Sequence, residues 1–138
     1  MNLENQTCVV TGSSRGIGRG IATDLGAHGA NVVVNYRSSE QEAEAVVEHI
    51  RAAGGDAIAA QADVAKPAQV EAMREQVVDE FGTVDVLVNN AGITIDKKFE
   101  KMSREDWDTV INVNLGGVFN CTDTFYDDLQ DADHGRLI

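Results

Sequence analysis

The 138-residue chain has one proline, one tryptophan, two cysteines and few lysines. The lone proline, Pro67, sits in a chain with no low-complexity tract, no internal repeat and no linker, so a single domain is expected. Cys8 falls in a strand-like apolar run and Cys121 in a helical one, which reads as two buried thiols of a reducing compartment rather than a disulfide. No apolar run approaches the ~20 residues of a membrane helix. The opening M-N-L-E-N-Q-T lacks a basic region followed by an apolar stretch, so no secretory signal is read and a cytoplasmic location is expected. Lysine occurs only at Lys66, Lys97, Lys98 and Lys101, and the net charge is −12. That balance argues against a nucleic-acid partner, which needs clustered cations. The acid is spread along helix faces, as on a solvated acidic surface or on a halophilic protein of a high-salt cytoplasm. His28, His49 and His134 show no metal-ligand spacing, so no metal site is read.

What the chain does have is a glycine turn between a strand and a helix. Residues 7–18 read T-C-V-V-T-G-S-S-R-G-I-G, with glycines at Gly12, Gly16 and Gly18. Glycine permits positive φ and close approach of another group to the backbone. A helix start adds unpaired N–H groups and the positive end of the macrodipole. Strand, turn and helix start together predict a phosphate cradle.

Strand and helix patterns then alternate. Strands are predicted at 7–11, 31–36, 56–61 and 84–88, with a fifth beginning at 136–138. Helices are predicted at 17–28, 40–53, from Pro67 through Phe81, and from about 104 to 128. Ile17, Ile21 and Leu25 share one face of the first helix. Ala43, Val46, Val47 and Ile50 mark a buried stripe on the second, and Val70, Met73, Val77, Val78 and Phe81 mark one on the third. Ser103 and Asp106 have capping-box spacing. Trp107 and Phe125 are expected in the core. The pattern predicts an α/β fold: a Rossmann-type doubly wound parallel sheet in three αβα layers, over residues 1–138.

Four motifs lie in order along it: T-G-S-S-R-G-I-G at 11–18, D-V at 63–64, N-N-A-G at 89–92 and N-V-N-L at 112–115. With these the chain resembles the N-terminal part of the classical short-chain dehydrogenases/reductases, and within them the 3-oxoacyl-(acyl-carrier-protein) and acetoacetyl-CoA reductases. The resemblance implies NADPH-dependent reduction of a 3-oxoacyl thioester, carried on acyl carrier protein or CoA, in fatty acid or polyhydroxyalkanoate metabolism. It also implies a homo-oligomer, dimer or tetramer, with the 104–128 helix in a subunit interface. Another alcohol, ketone or sugar substrate, or a dinucleotide-binding module without catalysis, stays open.

Gly12, Gly16 and Gly18 are expected under the pyrophosphate, with Ser14, Arg15 and Ile17 touching the cofactor by resemblance. The end of the second strand reads Asn35, Tyr36, Arg37, Ser38, with no carboxylate before Glu40. An acidic residue there selects NAD and an arginine selects NADP, so Arg37 and Arg15 predict NADP(H). The resemblance places Asp63 on the adenine amino group and Val64 beside the ring. It places Asn89, Ala91 and Gly92 near the ribose, with Asn89 also tying strands together. Asn114 is a poor interior helix residue; by resemblance it disturbs the helix and serves a proton relay, or it is a buried structural amide. Asn112 reads as structural.

Members of the family reduce ketones with a serine, a tyrosine and a lysine in Y-x-x-x-K. Here Tyr36 is followed four places on by Glu40, and Tyr126 by Gln130. The pattern reads as cut at the start of the fifth strand, before the catalytic residues. A 138-residue piece is then expected to be inactive and marginally folded, with its fourth strand at an exposed edge.

Overall fold

The computed structural model describes residues 2–138. The elements are β1 (Thr7–Val10), α1 (Gly16–Ala27), β2 (Asn31–Tyr36), α2 (Glu40–Ala52), β3 (Asp56–Gln61), α3 (Pro67–Phe81) and β4 (Val86–Val88). A short 3-10 turn (Phe99–Lys101), α4 (Arg104–Ile111), a π-helical segment (Asn112–Gly116), α5 (Gly117–Asp131) and β5 (Arg136–Leu137) complete the chain. All strand pairs are parallel, in the order β3-β2-β1-β4-β5. The chain winds outward from β1 to β3, then crosses back to β4. The carboxyl ends of β1 and β4 therefore diverge at a topological switch point, where open α/β sheets bind ligands. The fold class is the Rossmann-type one that the alternation predicts.

Side-chain alternation along the strands builds two apolar layers. Cys8, Val10, Val32 and Val34 pack under α1 and α2, against Ala22, Ala43, Val46 and Ile50. Val9, Val33 and Leu87 face the other way, onto Val70, Met73 and Val77 of α3 and Cys121 and Phe125 of α5. Arg74 braces the second layer, its guanidinium donating to both carboxylate oxygens of Asp128 at 2.6 and 2.8 Å. Burial pushes the Cys8 and Cys121 thiols up to about 12, so both stay protonated and inert at neutral pH.

Several expectations need correction. Ile17 does not share the environment of Ile21 and Leu25, which pack on the core: it is 78% exposed, because the first turn of α1 opens onto the cleft rather than the sheet. Trp107 is 54% exposed, since α4 buries none of its side chains against the rest of the chain. The helix expected over 104–128 is broken by the π segment and runs on to Asp131. β4 is not the edge strand: β5 covers it through the pairs Val86–Arg136 and Leu87–Leu137. Val84 and Asp85 precede β4 rather than belong to it; the Asp85 carboxylate accepts the Thr7 N–H instead.

Candidate functional site

The carboxyl ends of the central strands open into a cleft of about 320 Å³. Its floor is the turn after β1, gripped from both sides by polar side chains. The buried Thr11 hydroxyl accepts from the N–H groups of Asn90 and Ala91, both at 2.9 Å, and donates to the Val88 carbonyl. The Asn90 amide returns to the Thr11 and Gly12 carbonyls at 2.9 and 3.1 Å. From β2, Asn35 Oδ1 accepts the Gly12 N–H at 3.0 Å.

The three glycines are required for different reasons. Gly12 and Gly16 have φ of +61° and +59°, in the left-handed region. At Gly18 a Cβ would lie 2.5 Å from Asn90 Nδ2 and 2.6 Å from the Gly12 carbonyl oxygen, with no room for it. Gly12 and Gly18 line the cleft; Gly16 shapes the turn without forming part of the wall.

Ser13 turns its hydroxyl back to the Val10 carbonyl at 2.7 Å, so the local turn bond belongs to Ser13. The neighbouring Ser14 lines the cleft, as do Arg15 and Ile17. The start of α1 has no side-chain cap and no acidic residue in its first turn. Among the described residues, the N–H groups of residues 14–18 meet no acceptor. Unsatisfied donors at a helix start form an anion site. Arg15 and Arg37 both line the cleft, and neither has a carboxylate within ion-pair reach among the described residues.

The far wall is built by the ends of β2 and β3. Tyr36 and Ser38 lie on it beside Asp63 and Val64. Burial, then the Glu40 carboxylate, raises the Tyr36 phenol, which keeps it neutral. Asp63 Oδ1 accepts the Ala65 N–H at 3.0 Å, so one oxygen closes the local turn while the residue also faces the cleft.

At the end of β4, Ala91 and Gly92 line the cleft, but Asn89 does not. The Asn89 amide donates to Thr122 of α5 at 3.3 Å and its N–H to the Ile138 carbonyl at 2.7 Å. Asn89 thus links the end of β4 to α5 and to Ile138, just past β5. Asn114 sits in the π segment and is exposed, not buried. Its Oδ1 accepts the Ile93 N–H at 2.8 Å and its Nδ2 donates to the Ile93 carbonyl at 2.9 Å. This two-point clamp holds Ile93 on the cleft wall. Among the described residues, no group of three His, Cys, Asp or Glu side chains could hold a metal ion.

Six further wall residues, Asn35, Ser39, Ala62, Asn90, Ile93 and Val113, escape a reading based on motif glycines and charges. Asn35 had a visible signal: a lone amide at the end of a valine run. Asn90 was hidden by its twin, Asn89, and Ile93 by the irregular stretch it opens.

Comparison with known proteins agrees with this geometry. The family model for short chain dehydrogenase matches residues 6–138. The chain belongs to the short-chain dehydrogenase family. The 3-oxoacyl-[acyl-carrier-protein] reductase FabG of Staphylococcus epidermidis is 56% identical over 117 residues, 85% of this chain and 48% of that protein. The 3-oxoacyl-[acyl-carrier-protein] reductase of Synechocystis is 48% identical over 136 residues, 99% of this chain and 55% of that protein. A crystal structure of a short chain dehydrogenase from Burkholderia cenocepacia in complex with NADP superposes with a TM-score of 0.93 at 39% identity. It is matched by 99% of this chain, over 55% of its own length. This short-chain dehydrogenase chain thus spans about half the length of the curated relatives it matches.

Proposed function

We propose that this chain binds NADP(H) in the cleft and is the cofactor-binding part of a reductase acting on 3-oxoacyl thioesters. One observation carries the cofactor reading. The free amides of residues 14–18 share a cleft with Arg15 and Arg37, two guanidinium groups that no carboxylate among the described residues engages. The residues fit the group: the glycine turn leaves no space for a Cβ at Gly18, and the donor set suits phosphate oxygens.

In this reading the amides of 14–18 and the Ser14 hydroxyl hold the diphosphate. Arg15 and Arg37 bind the 2′-phosphate, Asp63 and Val64 receive the adenine, and Ala91 and Gly92 leave room for a ribose. Bound in its reduced form, the dinucleotide supplies a hydride. Asn114 stands beside the cleft, where it fixes Ile93 to the π segment. We place it in the proton relay of the longer reductase. Neither tyrosine of the chain is followed four places on by lysine, so the 138-residue polypeptide binds without turnover.

The substrate class rests on the likeness to the two 3-oxoacyl reductases, and association between subunits on an exposed apolar face. Trp107, Ile111, Leu115, Val118, Phe119 and Tyr126 stand out along α4, the π segment and α5. A second copy covering that face would bury them.

The decisive experiment is a fluorescence titration of the chain with NADPH and NADH, followed by addition of acetoacetyl-CoA. NADPH is expected to bind at least about tenfold more tightly, since each charge-assisted bond contributes about 1.5–3 kcal/mol. No oxidation of NADPH is expected. Equal affinities would overturn the NADP assignment, absence of binding would overturn the site, and turnover would overturn the division of labour.

A further inference from the structure

Asn35 is the cleft residue that the apolar character of β2 does not explain. The strand reads Asn31-Val32-Val33-Val34-Asn35-Tyr36, and a fourth valine would continue its buried pattern. An amide stands there instead, 1% exposed. Burying an amide is unfavourable unless its hydrogen bonds are replaced. Here they are. Oδ1 accepts the Gly12 N–H at 3.0 Å, and Nδ2 donates to the Ala60 and Ala62 carbonyls, each at 3.2 Å. The Asn35 main-chain carbonyl also accepts the Ser13 N–H at 2.9 Å.

These side-chain bonds add to two backbone bonds that already join the walls, from the Ser13 N–H to the Asn35 carbonyl and from the Ala62 N–H to the Tyr36 carbonyl, each at 2.9 Å. Gly12 opens the turn carrying the free amides and Arg15. Ala62 lies just past the last residue of β3 and directly precedes Asp63 and Val64. Arg37 follows Asn35 by two residues. A single amide thus bonds both the phosphate-side floor and the far wall. It also takes up the Gly12 N–H, so that this amide points at protein rather than at a ligand.

We propose that Asn35 is a positioning residue for the dinucleotide: its side chain sets the spacing between the glycine turn and the Asp63–Val64 wall. This rests on the dinucleotide reading above. A ligand that spans both walls depends on their spacing, because its second half binds at an effective concentration set by the connection. A ligand that touches one wall does not. With the side-chain bonds removed, only the backbone bonds hold turn and wall together, and binding must order what they leave loose.

The test compares NADPH with one ligand from each half of it: adenosine, which reaches only the Asp63–Val64 wall, and reduced nicotinamide mononucleotide, whose phosphate reaches only the glycine turn. All three are titrated against the unmodified chain, Asn35→Ala and Asn35→Ser, at a temperature where circular dichroism shows each variant folded. Asn35→Ala is expected to weaken NADPH by about tenfold or more and each smaller ligand by less than about threefold. Asn35→Ser, which keeps one hydroxyl in the site, is expected to fall between. A residue serving stability alone would lower the melting temperature and leave that ratio unchanged. Unaltered NADPH affinity in Asn35→Ala, an equal loss for all three ligands, or failure of both variants to fold would each overturn the proposal. If the unmodified chain bound no NADPH, the dinucleotide reading would fall and this inference with it. If it bound and Asn35→Ala bound equally well, this inference alone would fall.

Discussion

Around the glycine turn, the Thr11, Asn35 and Asn90 side chains engage one another's neighbouring backbone at 2.9–3.3 Å. On the outer side of α4 and α5, Trp107, Leu115 and Phe119 are 54%, 65% and 69% exposed. The two regions lie on either side of the same chain segment, since Val113 closes the cleft while Leu115 faces away. Their difference is one of self-sufficiency. The cleft is shaped by bonds internal to these residues, so its binding competence should not depend on what lies beyond them. The apolar face buries nothing of its own, so association and solubility are decided there.

The largest effect that tests this contrast lies within α5 itself. Phe125 is fully buried against the sheet, and Phe119 is on the open face. Phe125→Ala is expected to destabilise the chain by about 3–5 kcal/mol, the usual range for emptying a large aromatic site. Phe119→Ser is expected to change stability by less than about 0.5 kcal/mol. It should instead reduce self-association in sedimentation velocity. Urea melts of the two variants give the comparison. Similar losses in both would mean that the outer face is packed within the monomer after all.

Next in size is the floor of the cleft. Gly18→Ala places a methyl group against Asn90 and the Gly12 carbonyl, and the latter is backbone that cannot swing aside. Overpacking of this kind is unfavourable by about 1–3 kcal/mol. If that strain falls on the binding turn, NADPH affinity drops about five- to hundredfold. Gly20→Ala on the exposed side of the same helix meets nothing and should bind normally. Isothermal titration separates the pair; equal affinities would remove the steric account of the turn.

Legibility in the sequence followed the same division. Strands at 31–36 and 56–61 match the structure residue for residue, because short apolar runs preceded by a glycine turn leave little choice of period. The cleft residues carried by glycine, arginine and small-residue motifs were readable because each motif needs its residue type for a local reason. Asn35 and Asn90 were missed because their roles come from partners far along the chain, 23 and 79 residues away. The π segment was visible only as a misplaced asparagine. What identifies it is the bond from Asn114 to Ile93, which no periodicity encodes. Trp107 was misplaced because an apolar residue on an amphipathic helix reads as core whether or not a neighbour exists to bury it.

The smallest effect lies at the start of α4, outside the cleft. Lys97 Nζ donates to both Asp106 oxygens at 2.8 and 2.7 Å, and Asp106 in turn forms a reciprocal capping box with Ser103. The Lys97 bond first, then the Ser103 N–H, lowers the Asp106 carboxyl from 3.8 to about 2. A carboxyl depressed in the folded state stabilises it above the ordinary carboxylate pKa, and that contribution disappears as pH falls through the folded value. The melting-temperature difference between the unmodified chain and Lys97→Met should therefore hold steady from neutral pH to about 5 and be mostly lost by about pH 2. It should also shrink in high salt, as expected for an exposed pair. NADPH affinity at neutral pH should not move, since none of these three side chains lines the cleft. A difference that survived undiminished at pH 2 would assign the stabilisation to packing of the Lys97 stem instead. A change in affinity would mean that the capping box and the cleft are coupled, against the self-sufficiency of the binding turn.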